Sequence, residues 1–416
     1  MKYGLIGEKL GHSFSKIIHE KLVNEPYDLI ELSKEQLAPF MRKKDFRAIN
    51  VTIPYKQDVM AFLDEIHPAA QAIGAVNTVV NRGGKLIGYN TDYSGLKALI
   101  EQNGVSLAGK CVLILGSGGT SLTARQAALD MGAAQVQRVS RSAKAGTIDY
   151  AAAYEQYGGA DVIINTTPVG MYPHIEGTAV DLGKFHHLQA VFDVVYNPLC
   201  TDLVLKAKQK GITAAGGLYM LVAQAVYASE YFHDTVYEAD TIPMLFQQIK
   251  NERQNIVLSG MPGSGKSTVG KMLAEKSGRA FYDTDVLIEE QAGMPISTIF
   301  ETYGETYFRD LESRVIASLA AKQGAVIALG GGAILREENV FSLKHNGKIF
   351  FLNRNIDDIV PTADRPLALN KEALRQRFAE RYDRYCSTAD KIIQVTGDAA
   401  QVASLIGKEY LFEADD

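Results

Sequence analysis

Residues 260–268 of this 416-residue chain read GMPGSGKST and follow directly on the apolar run Ile256-Val257-Leu258. Gly260, Gly265, Lys266 and Ser267 fit the spacing G-x-x-x-x-G-K-[ST], which points to a phosphate-binding loop. The chemistry follows from the residue types. Gly260, Gly263 and Gly265, with Ser264 among them, let backbone N–H groups turn toward a phosphate where the helical pattern TVGKMLAEK begins at Thr268. Lys266 would neutralise charge on the β- and γ-phosphates, and the Ser267 hydroxyl would ligate Mg²⁺. The next apolar run ends in FYDTD, 281–285, where the spacing of Asp283 and Asp285 points both carboxylates the same way from a strand end beside the loop. Such loops serve ATPases, GTPases and small-molecule kinases alike, so the loop alone leaves the reaction open.

A second glycine-rich stretch lies far upstream. Gly116-Ser117-Gly118-Gly119-Thr120-Ser121 follows CVLIL and leads into a helical segment, approximating G-x-G-x-x-[GA] with a serine in the last position. About 20 residues further on, an NAD site would carry a carboxylate for the ribose hydroxyls. This chain has Ser140-Arg141-Ser142 there, and an arginine flanked by hydroxyls suits the 2′-phosphate of NADP.

The elements that must position these residues are α/β throughout, with short β-rich runs alternating with helical patterns in the manner of parallel sheets. KYGLI, YDLIEL and AINVT form a first set, followed by a helix ending near Asn103-Gly104. CVLILG opens a second lobe, continued by QVQRVS, DVIIN and AVFDVV at doubly wound spacing, and GLYMLVAQAVYASEYF reads as an apolar helix. From His233 the chain turns polar toward QQIKNERQN, and NIVLS, AFYD, VIALG, IFFL and KIIQV then supply the strands of a last domain. The expected division is 1–103, completed by 217–240, then 104–216, a linker at 241–254 and a domain at 255–416. A composition of 46% hydrophobic and 22% charged residues suits a soluble globular protein, and a net charge of −5 argues against nucleic acid as a partner. Cys111, Cys200 and Cys386 are too scattered for a zinc site or a disulfide framework. No run of 18 uncharged apolar residues occurs, so no membrane association is expected and a cytoplasmic location follows by default.

GMPGSGKSTVG, FYDTD, YFRDLES, ALGGGAIL, ADRPLAL and ERYDRY stand in the order and spacing of shikimate kinase, and the resemblance covers nearly all of 254–400. It implies a P-loop domain with a parallel five-stranded sheet that uses ATP and Mg²⁺. By this resemblance Asp283 helps hold Mg²⁺, and Asp285 orients and deprotonates the attacking hydroxyl. Arg309, Arg381 and the backbone at Gly330, Gly331 and Gly332 hold the carboxylate and ring hydroxyls of shikimate, while Arg365 closes over the transferring phosphoryl group. A bidentate arginine is the strongest available grip on a carboxylate. Asp358 stands where the family usually carries an arginine near the adenine.

The first 250 residues or so resemble shikimate dehydrogenase through GLIGEKLGHSFS, INVTIPYK, GAVNT, GYNTDY, DVVYNPL and GLYMLVAQA. This resemblance implies a substrate lobe and a Rossmann NADP lobe. It makes Ser13 and Ser15 ligands of the substrate carboxylate, with Thr52, Asn77, Tyr196, Gly217 and Gln224 lining the ring pocket. Gly116, Ser117, Gly118, Gly119, Thr120, Ser140 and Arg141 would hold NADP(H). Lys56 and Asp92 would be the catalytic pair. Hydride delivery to a ketone builds an alkoxide, and a lysine held by a carboxylate offers it a proton and a cation. Lys16 and Ser121 depart from the family pattern without removing a chemical group. Together the resemblances imply a bifunctional enzyme that reduces 3-dehydroshikimate and phosphorylates the resulting shikimate. Quinate for the first half, gluconate or a nucleoside monophosphate for the second, and a binding protein that has lost its chemistry are the alternatives.

Overall fold

The computed structural model describes residues 2–11, 14–143, 146–359 and 371–410. Its chain divides into two compact units, Met1–Ile249 and Lys250–Asp416. Among the described residues no helix is long and apolar enough to cross a membrane.

The first unit holds two sheets. β1 (Tyr3–Gly7), β2 (Tyr27–Glu31), β3 (Ala48–Val51), β4 (Glu65–Ile66), β5 (Thr78–Arg82) and β6 (Lys85–Tyr89) form a six-stranded sheet in the order β2-β1-β3-β5-β6-β4. The expectation of parallel strands fails for part of it, because β5 pairs antiparallel with both β3 and β6. The β5–β6 reversal is made by the Gly83-Gly84 turn, whose positive φ values of 61° and 93° suit a two-residue hairpin loop. The second sheet is fully parallel: β7 (Cys111–Leu115), β8 (Gln135–Val139), β9 (Val162–Asn165), β10 (Ala190–Asp193) and β11 (Thr213–Ala215), ordered β11-β10-β9-β7-β8. Apolar clusters cover both of its faces, as a parallel sheet requires.

Helices Thr91–Gln102 and Leu218–His233 tie the two sheets together. Leu96, Leu99 and Ile100 pack under the second sheet, while Ala228 and Phe232 close the core over the first. The two helices approach so closely that a Cβ on Gly95 would lie 2.7 Å from the Met220 carbonyl oxygen.

The polar stretch expected as a linker at 241–254 contains a helix, Thr241–Arg253. Its Leu245 and Ile249 are buried with Leu218, Val222 and Ile18 in a core of the first unit. Composition hid a helical spacing of apolar residues, Ile242, Leu245, Phe246 and Ile249, beneath the charged residues around them.

The second unit is built on β12 (Asn255–Ser259), β13 (Phe281–Asp283), β14 (Val326–Ala328), β15 (Gly347–Arg354) and β16 (Lys391–Val395). All pairings are parallel, in the order β13-β14-β12-β15-β16. The strand order reverses beside central β12, the kind of position at which open α/β sheets bind ligands at the carboxyl ends of their strands, and the loop 260–265 emerges there.

Candidate active sites

The first site is assembled at the start of helix Thr91–Gln102. Asn90 caps that helix by accepting from the Tyr93 N–H at 3.2 Å, which sets Thr91 and Asp92 in the first turn. Asp92 faces Lys56, which follows β3 in a turn whose carbonyl at Lys56 accepts from the Val76 N–H. The Lys56 Nζ donates to Asp92 Oδ2 at 2.6 Å with both side chains largely shielded, at 18% and 14% exposure. Thr91 gathers the other polar groups. Its N–H donates to Asn77 Oδ1 at 2.7 Å, its Oγ1 accepts from Asn77 Nδ2 at 3.1 Å, and its hydroxyl reaches Gln224 Oε1 at 3.5 Å. Thr78 and Asn50 extend this network beneath Asn77, and neither was singled out by sequence reasoning, because a buried Thr or Asn in a strand carries no spacing signal.

Tyr196 lies against Phe14, ring centroids 5.2 Å apart, which brings DVVYNPL to the start of the helix carrying Ser15. Burial raises the Tyr196 hydroxyl above its ordinary value and keeps it a neutral donor. Gly217 serves packing: a Cβ there would stand 2.1 Å from the Val194 carbonyl oxygen, so only glycine lets the helix bearing Gln224 start against β10. Thr52 is half-buried beside Gly7, where a Cβ would meet the Thr52 methyl at 2.6 Å. Ser13 lies outside the described residues.

The glycine loop leaves the carboxyl end of β7, and Gly118 caps helix Gly119–Asp130. Gly116 has φ of 124° and sits against Thr166, whose Oγ1 would be 2.4 Å from an added Cβ. Ser117 and Gly118 are exposed, Gly119 and Thr120 half-exposed, and no atom lies within 4 Å of a Cβ built on Gly118 or Gly119. That open cradle of N–H groups at a helix start fits a pyrophosphate. Ser121 is accommodated because its buried hydroxyl donates to the Gly118 carbonyl at 2.7 Å. Ser140 is fixed through its N–H to Ile148, and Arg141 projects into solvent at the end of β8. Val169, Met171 and Tyr172 stand partly exposed after β9, beyond Thr166; this apolar loop next to Gly116 was not foreseen either.

In the second unit the loop takes positive φ at Gly260, Gly263 and Gly265, and Lys266 begins helix Lys266–Ser277. Lys266 Nζ donates to the carbonyls of Gly260 and Met261, each at 3.0 Å. The Ser264 hydroxyl is buried without a hydrogen-bond partner among the described residues, so the loop is short of a polar partner where a nucleotide phosphate would supply one. Ser267 and Thr268 are exposed, and Ser267 Oγ donates to Asp283 Oδ2 at 2.6 Å, which brings the expected Mg²⁺ ligands together. No group of three or more His, Cys, Asp or Glu that could hold a metal occurs among the described residues; one hydroxyl and one carboxylate beside phosphate oxygens are an ordinary Mg²⁺ environment.

Asp283 and Asp285 do not share a strand as the spacing suggested. Asp283 ends β13 and caps helix Thr284–Ala292, accepting from the Asp285 N–H at 3.1 Å, so Asp285 stands in the first helical turn. The glycine triplet makes room for what surrounds it. A Cβ would lie 2.5 Å from Asp285 Oδ1 at Gly330, 2.7 Å from Pro262 at Gly331, and 2.4 Å from Arg309 Nη1 at Gly332. Arg381 Nη1 donates to the Gly331 carbonyl at 3.3 Å. Asp285, Arg309, Arg381 and the triplet therefore form one site.

Sequence reasoning missed Glu312, one turn beyond Arg309. It is fully buried, and its Oε2 accepts from Arg309 Nη1 at 2.8 Å. Burial pushes its carboxyl above the usual range in spite of that guanidinium. Arg354, whose Nη1 lies 4.0 Å from a Cβ built on Gly265, is a further cation at the loop. Asp358 is exposed in a short turn after β15, and Arg365 lies outside the described residues.

Comparison with known proteins separates the same two regions. The family model described as shikimate dehydrogenase substrate binding domain matches residues 5–79, and the one described as shikimate kinase matches 262–410. The NADP⁺ shikimate dehydrogenase of Clostridium beijerinckii is 36% identical over 265 residues, covering 60% of this chain and 98% of its own. The crystal structure of shikimate dehydrogenase 1 from Peptoclostridium difficile superposes with a TM-score of 0.55 at 35% identity, covering 60% of this chain and 98% of that one. A Thermus thermophilus shikimate 5-dehydrogenase in complex with NADP(H) and shikimate gives a TM-score of 0.53 at 26% identity, with 59% and 98% covered.

Proposed function

Because the chain belongs to the shikimate dehydrogenase family through its first unit and carries a shikimate kinase domain in its second, we propose that it makes shikimate and then phosphorylates it. The observation that carries this reading is that each unit gathers an acid–base group with polar residues suited to one hydroxylated carboxylic acid: Lys56–Asp92 beside Asn77 and Gln224, and Asp285 beside Arg309 and Arg381.

In the first site NADPH supplies hydride to the ketone of 3-dehydroshikimate. Lys56 donates from Nζ to the oxygen on which negative charge develops, and Asp92 holds the ammonium in place for that transfer. Asn77, Thr91 and Gln224 fix the ring hydroxyls, and Ser13 and Ser15 the carboxylate. In the second site ATP supplies the phosphoryl group. Arg309 and Arg381 grip the shikimate carboxylate, Asp285 accepts the proton of the 3-hydroxyl, and Lys266 balances phosphate charge. Ser267 and Asp283 would hold Mg²⁺, which would offset negative charge on the nucleotide phosphates. The domain limits are proposed as 1–103 with 217–240 for substrate and 104–216 for NADP, ahead of a kinase domain at 255–416. Three free cysteines are in keeping with a reducing compartment such as the cytoplasm.

The test is direct. Purified protein given 3-dehydroshikimate, NADPH, ATP and Mg²⁺ should form shikimate 3-phosphate with one NADPH and one ATP consumed per product. Absence of NADPH oxidation overturns the first half, and shikimate accumulating without ATP consumption overturns the second.

A further inference from the structure

Arg138 lies in β8, two residues before Ser140, and is half-buried. Its surroundings are tight. The backbone N–H of Ile148 donates to the Arg138 carbonyl at 3.0 Å, and Nη2 would be 3.1 Å from a Cβ on Gly146. Its Nη1 reaches Ser121 Oγ at 3.3 Å, the same hydroxyl that holds the Gly118 carbonyl. Its Nε is buried with no partner, and no carboxylate pairs with the guanidinium among the described residues. Burial lowers the affinity of Arg138 for its own proton, and Arg125 on helix Gly119–Asp130, another cation, adds to that effect.

A half-buried guanidinium without an anion is unfavourable, and a second cation close by makes it more so. Arginine does not escape by deprotonating, so an anion bound beside it would offset that cost. We propose that Arg138, seated beneath the glycine loop, is a second specificity residue for NADP: with Arg141 it supplies positive charge to the 2′-phosphate, while Ser121 fixes its orientation. The proposal rests on the reading of the first unit as NADP-dependent. Arg138 reaches the start of helix Gly119–Asp130 through Ser121, whereas Arg141 lies in the exposed turn after β8.

The experiment is calorimetric titration of the full chain, without substrates, with NADP⁺ and with NAD⁺. Unmodified protein should bind NADP⁺ more tightly; equal affinities would sink the reading of the first unit itself. Arg138→Gln should weaken NADP⁺ by about ten-fold and leave NAD⁺ within about two-fold, the loss of one charge-assisted contact. Arg138→Lys keeps the charge and should retain a NADP⁺ to NAD⁺ preference within about three-fold of the unmodified protein. Melting temperatures of the proteins without nucleotide show which variants fold, and the Lys variant with Ser121→Ala supplies the comparison if Arg138→Gln does not. In that case Ser121→Ala, which removes the hydroxyl that orients the guanidinium, should shrink the NADP⁺ to NAD⁺ preference, and an unaltered preference there overturns the proposal. Equal weakening of both nucleotides by Arg138→Gln would make Arg138 a support of the loop alone, and an unchanged preference would remove it from the site.

Discussion

The two glycine-rich loops both present backbone N–H groups at a helix start, yet they are charged in different ways. Between Gly116 and Ser121 there is no cation; Arg138 and Arg141 come from the neighbouring strand and the turn after it. In the second unit Lys266 belongs to the loop itself and bends over its carbonyls, with Ser267 and Asp283 paired beside it. The proposed chemistry explains the difference. A dinucleotide is held by its phosphates while it reacts at the nicotinamide, so charge is needed only where the nucleotide is told apart from its analogue. The phosphates of ATP react, so charge must stand at the loop, where it develops in the transition state.

The largest effects should therefore be confined to one unit at a time. Lys56→Ala is expected to lower 3-dehydroshikimate reduction by about 10² to 10⁴, the range for a lost general acid, and to leave phosphorylation of added shikimate within about two-fold. Lys266→Ala should do the reverse, with a loss of about 10² to 10³ in kinase kcat. Assaying both reactions in each variant checks the separation. If either substitution abolished both activities in protein that melts normally, the division into two chemistries would break.

Nucleotide choice should be more modestly affected. Arg141 is exposed, so its contact to the 2′-phosphate is screened and belongs to the lower part of the range of about 1.5 to 3 kcal/mol for charge-assisted bonds. Arg141→Ala should shrink the ratio of kcat/KM for NADPH over NADH by about ten-fold, and an unaltered ratio would move discrimination elsewhere. Gly332→Ala probes the other unit. The added Cβ would sit 2.4 Å from Arg309 Nη1, and moving that guanidinium disturbs its bonds to Glu305 and Glu312 at 3.0 and 2.8 Å. The shikimate KM should rise by about ten-fold with a smaller change in kcat, measured at saturating ATP. A KM left unchanged would separate Arg309 from the carboxylate.

Much of this was legible in the residues. The strands of the second sheet apart from β11, all five of the third, the lysine-bearing loop and the Lys56–Asp92 pairing rest on patterns several residues long. What escaped has identifiable causes. The β5–β6 hairpin was obscured because its turn, Gly83-Gly84, lies between stretches rich in Asn and Thr. β11 is only three residues long, and helix Thr241–Arg253 has an apolar stripe among polar neighbours. Asp285 was placed on a strand because spacing does not reveal that Asp283 ends it by capping a helix. Thr91 and Arg138 are single polar residues whose partners lie on other elements, and only the fold sets Arg138 beside Ser121. Glu312 is an i+3 neighbour of Arg309 on one helix, a spacing that reads as an ordinary surface pair until the fold buries it.

The smallest predicted effect turns on another contrast between the units, in how each holds a buried carboxylate. Glu312 is tied to a guanidinium, whereas the donors to Asp193, at the end of β10, are neutral among the described residues: Thr201 Oγ1 at 2.7 Å, and Asn165 Nδ2 and the Val195 N–H at 3.0 Å each. These donors do not offset burial, which pushes the Asp193 carboxyl up from 3.8 to about 6. An acid whose folded value is raised takes up a proton more readily in the folded state than in the unfolded one. Its contribution to stability therefore grows as pH falls through about 6 and stops growing below the unfolded value near 3.8. Between pH 7 and 5 the gain amounts to about 1 kcal/mol. Asp193→Asn keeps an acceptor for Asn165 and Val195 and can donate to the Thr201 oxygen, so it should fold and lack this gain. The check is the urea midpoint for loss of dehydrogenase activity, taken for both proteins at pH 7 and pH 5. The unmodified protein should gain about 1 kcal/mol relative to the variant on acidification, because every other titrating group is shared. A difference that stays constant with pH would mean that Asp193 is as ionised as an exposed carboxylate, and the contrast with Glu312 would then lie in packing rather than in charge.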